Sequence, residues 1–382
     1  MKIGIIDADL IGRKKHRFPN LACMKIAGYY KSKGNEVHLL LDYNKICEYD
    51  KVFISKVFTD TFIDSHILEL ENVEYGGTGF FYDKAPALPD CIEHHMPDYS
   101  LYDDFINCEV SRGISIKEFN YYKNYSIGFT TRGCFRKCPF CVNKNANKVI
   151  KHSPLKEFLD KDRKYICLLD DNILGYSDCE GVFNELKKTG KRFEYKQGMD
   201  ERLLTHKKCE MIANAPLHNE IYFAFDNVED AEIIENKLQL MRNYTHKRFS
   251  FYVLCAFDRD NKYDEEFWKN DIINVFKRLN ILNRYDCKPY IMRYEMYSSS
   301  PIRGFYIALA SWANQPAMYK SFTFREYCIK KGISAKVYSK YKDNPDQYLL
   351  DGYKKGATWR YLDELEAKYP DIAKKLFDVK FA

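Results

Sequence analysis

Cys134, Cys138 and Cys141 stand within one short stretch, with Pro139 and Phe140 between the last two. Thiolates are soft donors that suit iron-sulfur clusters or zinc, and both kinds of site announce themselves as closely spaced cysteines on a tight loop. The number three separates them. A four-iron cubane held by three thiolates keeps one iron open to a substrate, whereas a structural zinc takes four protein ligands and leaves none free. The same spacing also fits one face of a helix, where cysteine behaves as a small hydrophobe. Gly133 before the first cysteine and Pro139, which would remove a helical hydrogen bond, argue for a loop instead. Zinc stays open if Cys167, Cys255 or His152 folds back as a fourth ligand.

The elements that must position such a loop are legible as apolar runs. From Ser126 onward, strand-like runs begin near 126, 165, 193, 221, 249 and 289, each followed by enough chain for a helix. The four middle starts are evenly spaced by 28 residues, the length of a β-α repeat in a parallel barrel. In such a barrel the working residues sit just past the C-terminal ends of strands. Asp170, Asp171 and Asn172 follow one run; Gln197, Gly198, Asp200, Glu201 and Arg202 follow the next. Asp226 and Asn227, Asp258 and Arg259, and Arg293 and Tyr294 close the last three. A guanidinium such as Arg202 clamps a carboxylate in bidentate fashion, and Gln197 and Asp200 can bond hydroxyl groups.

Upstream, residues 2–7 and 37–41 flank a helical stretch that carries Leu21, Met24, Ala27 and Tyr30 at helical spacing, with Pro19 in its first turn and Gly34 at its stop. A third strand is expected at 52–54 and a glycine-rich turn at 75–79. Residues 1–110 therefore read as a small doubly wound α/β domain, 111–300 as the barrel, and 301–382 as a helical extension with helices over 305–330 and 359–378. Trp312 and Tyr319 in that extension are read as packing residues.

Composition bounds the partners. The 382 residues are 46% hydrophobic, ample for a core, and 60 basic against 54 acidic side chains leave a mild net charge of +6. Thirteen cysteines in so long a chain read as reduced thiols of a cytoplasmic protein rather than a disulfide framework. Asp7 and Asp9 interrupt the first apolar run, which excludes a secretory signal, and no stretch is long enough for a membrane span. The dense basic run Arg13-Lys14-Lys15-His16-Arg17 reads as a solvated loop, with phosphate or nucleotide binding as the alternative.

Cys134, Cys138, Phe140 and Cys141 resemble the motif of the radical S-adenosylmethionine superfamily, in which an aromatic residue precedes the third cysteine. The resemblance implies a 4Fe-4S cluster and S-adenosylmethionine as cofactors. It implies a partial (β/α)6 barrel, reductive cleavage to a 5'-deoxyadenosyl radical that abstracts hydrogen from an unknown substrate, and a reductase or a flavodoxin- or ferredoxin-type electron donor. Phe140, Asp170, Asp171, Gln197, Asp200, Arg202 and Asp226 are the implied cofactor contacts. Asp170-Asp171 departs from the superfamily's Gly-Gly-Glu motif and looks like the branch with an N-terminal cobalamin-binding-like domain, to which Phe18-Pro19-Asn20 and Met96-Pro97-Asp98 are also similar. Asp7-Ala8-Asp9-Leu10-Ile11-Gly12 has the outline of that branch's Asp-x-His-x-x-Gly motif with Asp9 in the histidine's place, which leaves His16, His94 or His95 as candidate cobalt ligands. Cys23, Cys47 and Cys91 lack the sequence context of a second cluster. The alternatives are a cobalamin-dependent radical methyltransferase and a zinc-stabilised nucleic-acid-binding protein.

Overall fold

The computed structural model describes residues 1–13 and 15–381, so Lys14 of the basic run lies outside the described residues. The protein is mixed α/β with parallel sheets. It divides into two compact units, Met1–Gln197 with Ala215–Asn219, and Gly198–Asn214 with Glu220–Ala382.

The first unit opens with a four-stranded parallel sheet of β1 (Lys2–Asp7), β2 (Glu36–Leu39), β3 (Lys51–Ser55) and β4 (Val73–Gly76) in the order β2-β1-β3-β4. Ile3, Ile5 and Ile6 of β1 and Val52 of β3 are wholly buried, as expected of strands covered on both faces. Ile3 and Ile5 pack with Met24 and Ala27 of the helix Leu21–Ser32, while Ile6 and Val52 pack on the opposite face with Ile46 and Ile67. Pro19 lies before that helix rather than in its first turn, because the Asn20 side chain caps it by accepting the Cys23 N–H at 3.3 Å. Gly34, at φ +78°, follows its last turn. The glycine-rich stretch gives β4 its last residues, Tyr75 and Gly76, before turning at Gly77.

The same unit continues with β5 (Tyr125–Gly128), the short β6 (Thr131–Arg132) and β7 (Ile150–Lys151), then β8 (Tyr165–Leu168) and β9 (Arg192–Tyr195). β5, β8 and β9 form a parallel triplet in that order, and β6 pairs antiparallel with β7. The second unit carries another parallel triplet, β10 (Ile221–Ala224), β11 (Phe249–Cys255) and β12 (Cys287–Arg293). All six strands of the two triplets start within two residues of the positions that the apolar runs indicate.

The C-terminal helices are shorter than their apolar pattern. The stretch 305–330 divides into Arg303–Ala313, Pro316–Ser321 and Phe324–Gly332. Pro316 starts the second, and a reciprocal capping box between Thr323 and Glu326 starts the third. Pro370 likewise splits 359–378 into Ala357–Lys368 and Pro370–Leu376. Trp312 is fully buried beside Phe276 and Phe324, and its indole N–H donates to the Phe322 carbonyl at 3.0 Å.

Gly28 tests how tightly the first unit is built. It lies inside a helix, where alanine ordinarily stabilises by about 1 kcal/mol. Here a Cβ would overlap the Met96 carbonyl oxygen and crowd Asp98 N at 3.1 Å. Gly28→Ala should therefore destabilise, by roughly 1–3 kcal/mol, measured as a lower urea midpoint at unchanged slope.

Candidate functional site

The cysteine loop is a closed insertion. The pairs Thr131–Lys151 and Arg132–Ile150 of the β6–β7 ladder bring its two ends together, so residues 133–149 form one loop without helix or strand. Gly133 opens it at φ +92°, and a Cβ there would stand 2.5 Å from the Lys148 carbonyl oxygen. Both constraints demand glycine. Lys137 also holds a positive φ of 51°, and Cys141 N donates to Cys138 O at 2.9 Å, so the second and third cysteines flank a tight turn.

Two adjacent carboxylates anchor this loop. Asp171 accepts Gly133 N at 2.6 Å and Asn143 Nδ2 at 2.7 Å. Asp170 is buried and accepts four bonds, from Thr130 N and Oγ1 at 3.0 and 2.5 Å and from Thr131 N and Oγ1 at 2.6 and 2.7 Å. Burial pushes the Asp170 carboxyl above its ordinary range, against the lowering effect of its hydrogen bonds. Asp170 is thus a positioning residue for the strand that leads into the loop.

The sulfurs are half-buried, and two of them meet N–H donors: Asn172 Nδ2 reaches Cys134 Sγ at 3.4 Å and Asn143 N reaches Cys141 Sγ at 3.4 Å. The thirteen cysteines form no disulfide. Among the described residues, no group of three or more His, Cys, Asp or Glu side chains is already gathered about a metal position. The donor set nonetheless fits an iron-sulfur cluster, since three thiols share one irregular loop and N–H groups aimed at sulfur are a known means of tuning such clusters. Of the candidate fourth ligands, Cys167 is wholly buried in β8, and His152 bonds Ser153 Oγ at 3.0 Å and lies 3.4 Å from Glu93. Cys255 belongs to the second unit.

Residues far upstream in the sequence latch the loop. Tyr82 Oη donates to the Phe140 carbonyl at 2.5 Å, and Asp83 pairs with Lys144 at 3.1 Å and accepts from Asn145. These partners lie about sixty residues from the cysteines, and nothing local marks them. A buried polar group inside the triplet was missed as well. Glu194 of β9 bonds Asn219, while its other carboxylate oxygen is buried without a hydrogen-bond partner. Gln197 lies exposed just beyond β9.

Asp200, Arg202 and Asp226 belong to the second unit. Arg202 donates from Nε to Asp200 at 2.7 Å and from Nη1 to Asp230 at 2.7 Å. Burial would lower its pKa, but these carboxylates outweigh burial and raise it. The guanidinium is therefore tied into a bridge within the protein. Arg278, on the helix Glu265–Arg284, donates to the carbonyls of Phe225, Asp226 and Leu254 at 2.8, 3.0 and 2.8 Å. Asp271, on the same helix, accepts Ala256 N at 2.8 Å and Tyr306 Oη at 2.7 Å. Asp258 caps its own turn by accepting the N–H groups of Asp260, Lys262 and Tyr263, and Arg293 stacks over Tyr297.

The other predicted features are engaged locally. Arg13 pairs with Asp60 at 2.6 Å and stacks on Phe58, and Arg17 lies near Glu109 and Glu118. Asp9, in the place of the motif's histidine, is buried and accepts Thr61 Oγ1 at 2.5 Å and Val57 N at 2.7 Å. His94 bonds Glu157 at 2.7 Å, and His95 bonds Met96 O and Ser32 Oγ. No family model matches the chain, and no curated protein matches it.

Asp226 offers a pH test. Burial, opposed by Arg278, pushes its carboxyl from the usual 3.8 up to about 6. A raised carboxyl binds its proton more tightly in the folded state, so it costs stability as pH rises from about 4 to 6 and keeps that cost above. Asp226→Asn should be more stable than wild type at pH 7.5 by on the order of 1–2 kcal/mol, read as a higher melting temperature, with the difference vanishing near pH 4.

Proposed function

We propose that the chain is a radical S-adenosylmethionine enzyme acting on a substrate still to be identified. One observation carries this reading: three thiols on a single closed loop, with backbone and amide N–H groups directed at two of the sulfurs. Cys134, Cys138 and Cys141 would hold a 4Fe-4S cluster. When bound, that cluster supplies the electron and the open iron for reductive cleavage of S-adenosylmethionine.

The chain's own residues prepare the site. Asp171 fixes Gly133 and Asn143 on either side of the cysteines, and Asp170 fixes the two threonines before them. Tyr82 restrains the backbone of Phe140, the residue before the third cysteine. Past β9, the exposed Gln197 is the side chain best able to bond the hydroxyl groups of a bound nucleoside. Arg202 already clamps two carboxylates of its own unit, which leaves it an orienting rather than a ligand-binding role. We read β5, β8, β9, β10, β11 and β12 as the six strands of a partial (β/α)6 barrel. Parallel pairing within each triplet and the 28-residue repeat support that assignment.

The test is anaerobic reconstitution with iron and sulfide. Wild type should take up about four irons and four sulfides per chain and, once reduced with dithionite, convert S-adenosylmethionine to 5'-deoxyadenosine. Cys138→Ala should lose both the cluster absorbance and the product. A wild-type protein that binds one zinc without sulfide, or that forms the cluster and yields no 5'-deoxyadenosine, would sink the proposal.

A further inference from the structure

The chain's positive charge is not evenly spread. Between residues 320 and 361 there are ten Lys or Arg against four Asp or Glu, an excess equal to the net +6 of the whole protein. The rest of the chain is therefore electrically balanced. This segment holds the helices Phe324–Gly332, Tyr338–Tyr341 and Pro345–Leu350 and the start of Ala357–Lys368.

Its folding gathers the charge. Gly356 N donates to Gly332 O at 2.8 Å, joining the turn before the last helix to the end of the first. The Tyr348 hydroxyl accepts Ser334 N and donates to Lys354 O, both at 3.3 Å. One phenol thereby pins the loop that carries Lys336 to the turn that carries Lys354, with Lys331 immediately before Gly332. Arg325, Lys340, Lys342 and Lys355 have acidic partners, whereas Lys331, Lys336, Lys354 and Arg360 have none among the described residues. Beside these cations Tyr353 is 41% exposed and stacks on Tyr348, with ring centroids 4.8 Å apart and planes 10° from parallel.

We propose that this C-terminal helical module docks a single strand of nucleic acid, with Lys331, Lys336 and Lys354 meeting phosphates and Tyr353 offering a face to a base. Cations without acidic partners on turns that Tyr348 ties together, with the exposed ring of Tyr353 stacked on that phenol, match the alternation of phosphate and base along a strand. An anionic membrane would meet the same lysines, but a flat ring already stacked on a second ring is the arrangement that a base continues. The proposal is independent of the cluster, because the module lies in the second unit and the cysteines in the first.

The test uses the full-length protein without reconstitution and a fluorescein-labelled single-stranded RNA of about 20 nucleotides, long enough for one module, read by fluorescence anisotropy across a salt series. Binding should weaken steeply with salt. The triple variant Lys331→Glu, Lys336→Glu, Lys354→Glu should bind at least about tenfold more weakly. Tyr353→Ala should lose about fivefold or more. Lys336→Glu alone, in an exposed loop, should flatten the salt slope by about one, which keeps the test sound if the triple variant folds poorly. Absence of RNA binding at low salt, or wild-type affinity in all three variants, would overturn the proposal. So would equal binding to phosphatidylserine vesicles that is indifferent to Tyr353→Ala.

Discussion

Two neighbouring carboxylates past the end of β8 hold the cysteine loop to the sheet. A loop of seventeen residues without helix or strand leaves many backbone groups unpaired, and each one removed from water must find a partner. Asp170 and Asp171 together accept six hydrogen bonds from the residues that lead into and line that loop. Bonds to an ionised acceptor contribute about 1.5–3 kcal/mol each, offset by the cost of burying charge. For Asp170 burial prevails, since its carboxyl is pushed upward despite four donors. The residues just past β8 thus tie the loop and the strand before it to the sheet, and the short β6–β7 ladder completes the closure.

The elements that sequence reveals are those with local signals. Strand starts are legible because buried parallel strands are short apolar runs bounded by polar residues, and the 28-residue rhythm repeats that pattern. The cysteine loop is legible because Gly133 and Pro139 forbid helix within its own span. Helix ends in the C-terminal extension are harder to see. Apolar periodicity runs through Asn314 and Thr323 and masks the breaks at Pro316 and at the Thr323–Glu326 capping box, where separate helices begin.

The partners that fix the candidate site were not legible, because they are distant in the chain and ordinary in composition. Tyr82 and Asp83 follow a glycine-rich turn with no chemistry-bearing pattern, yet they hold the loop at Phe140, Lys144 and Asn145. Arg278 and Asp271 sit inside a long amphipathic helix, where charged residues usually face water; here both are buried against strand ends. The lysines of the C-terminal module escape notice for a similar reason. They are spread over a helix end and two turns along more than twenty residues, and Tyr348 draws the two turns together.

Strand ends impose a need that ligand binding does not explain. Where a parallel strand stops, the sheet hydrogen bonds stop with it, and the freed N–H and C=O groups lie in a crowded interior. At several strand ends this protein answers with a buried ionisable side chain. Asp7 takes Leu10 N and the Tyr102 hydroxyl beyond β1, Asp170 takes the two threonines beyond β5, Asp226 takes Leu254 N, and Arg278 takes three carbonyls at the ends of β10 and β11. A carboxylate after a strand is thus as readily a backbone partner as a cofactor contact, and position alone does not distinguish the two. Exposure does. Asp170 and Arg278 are sealed by their partners, while Gln197 is exposed and the three cysteines of the loop are only half-buried.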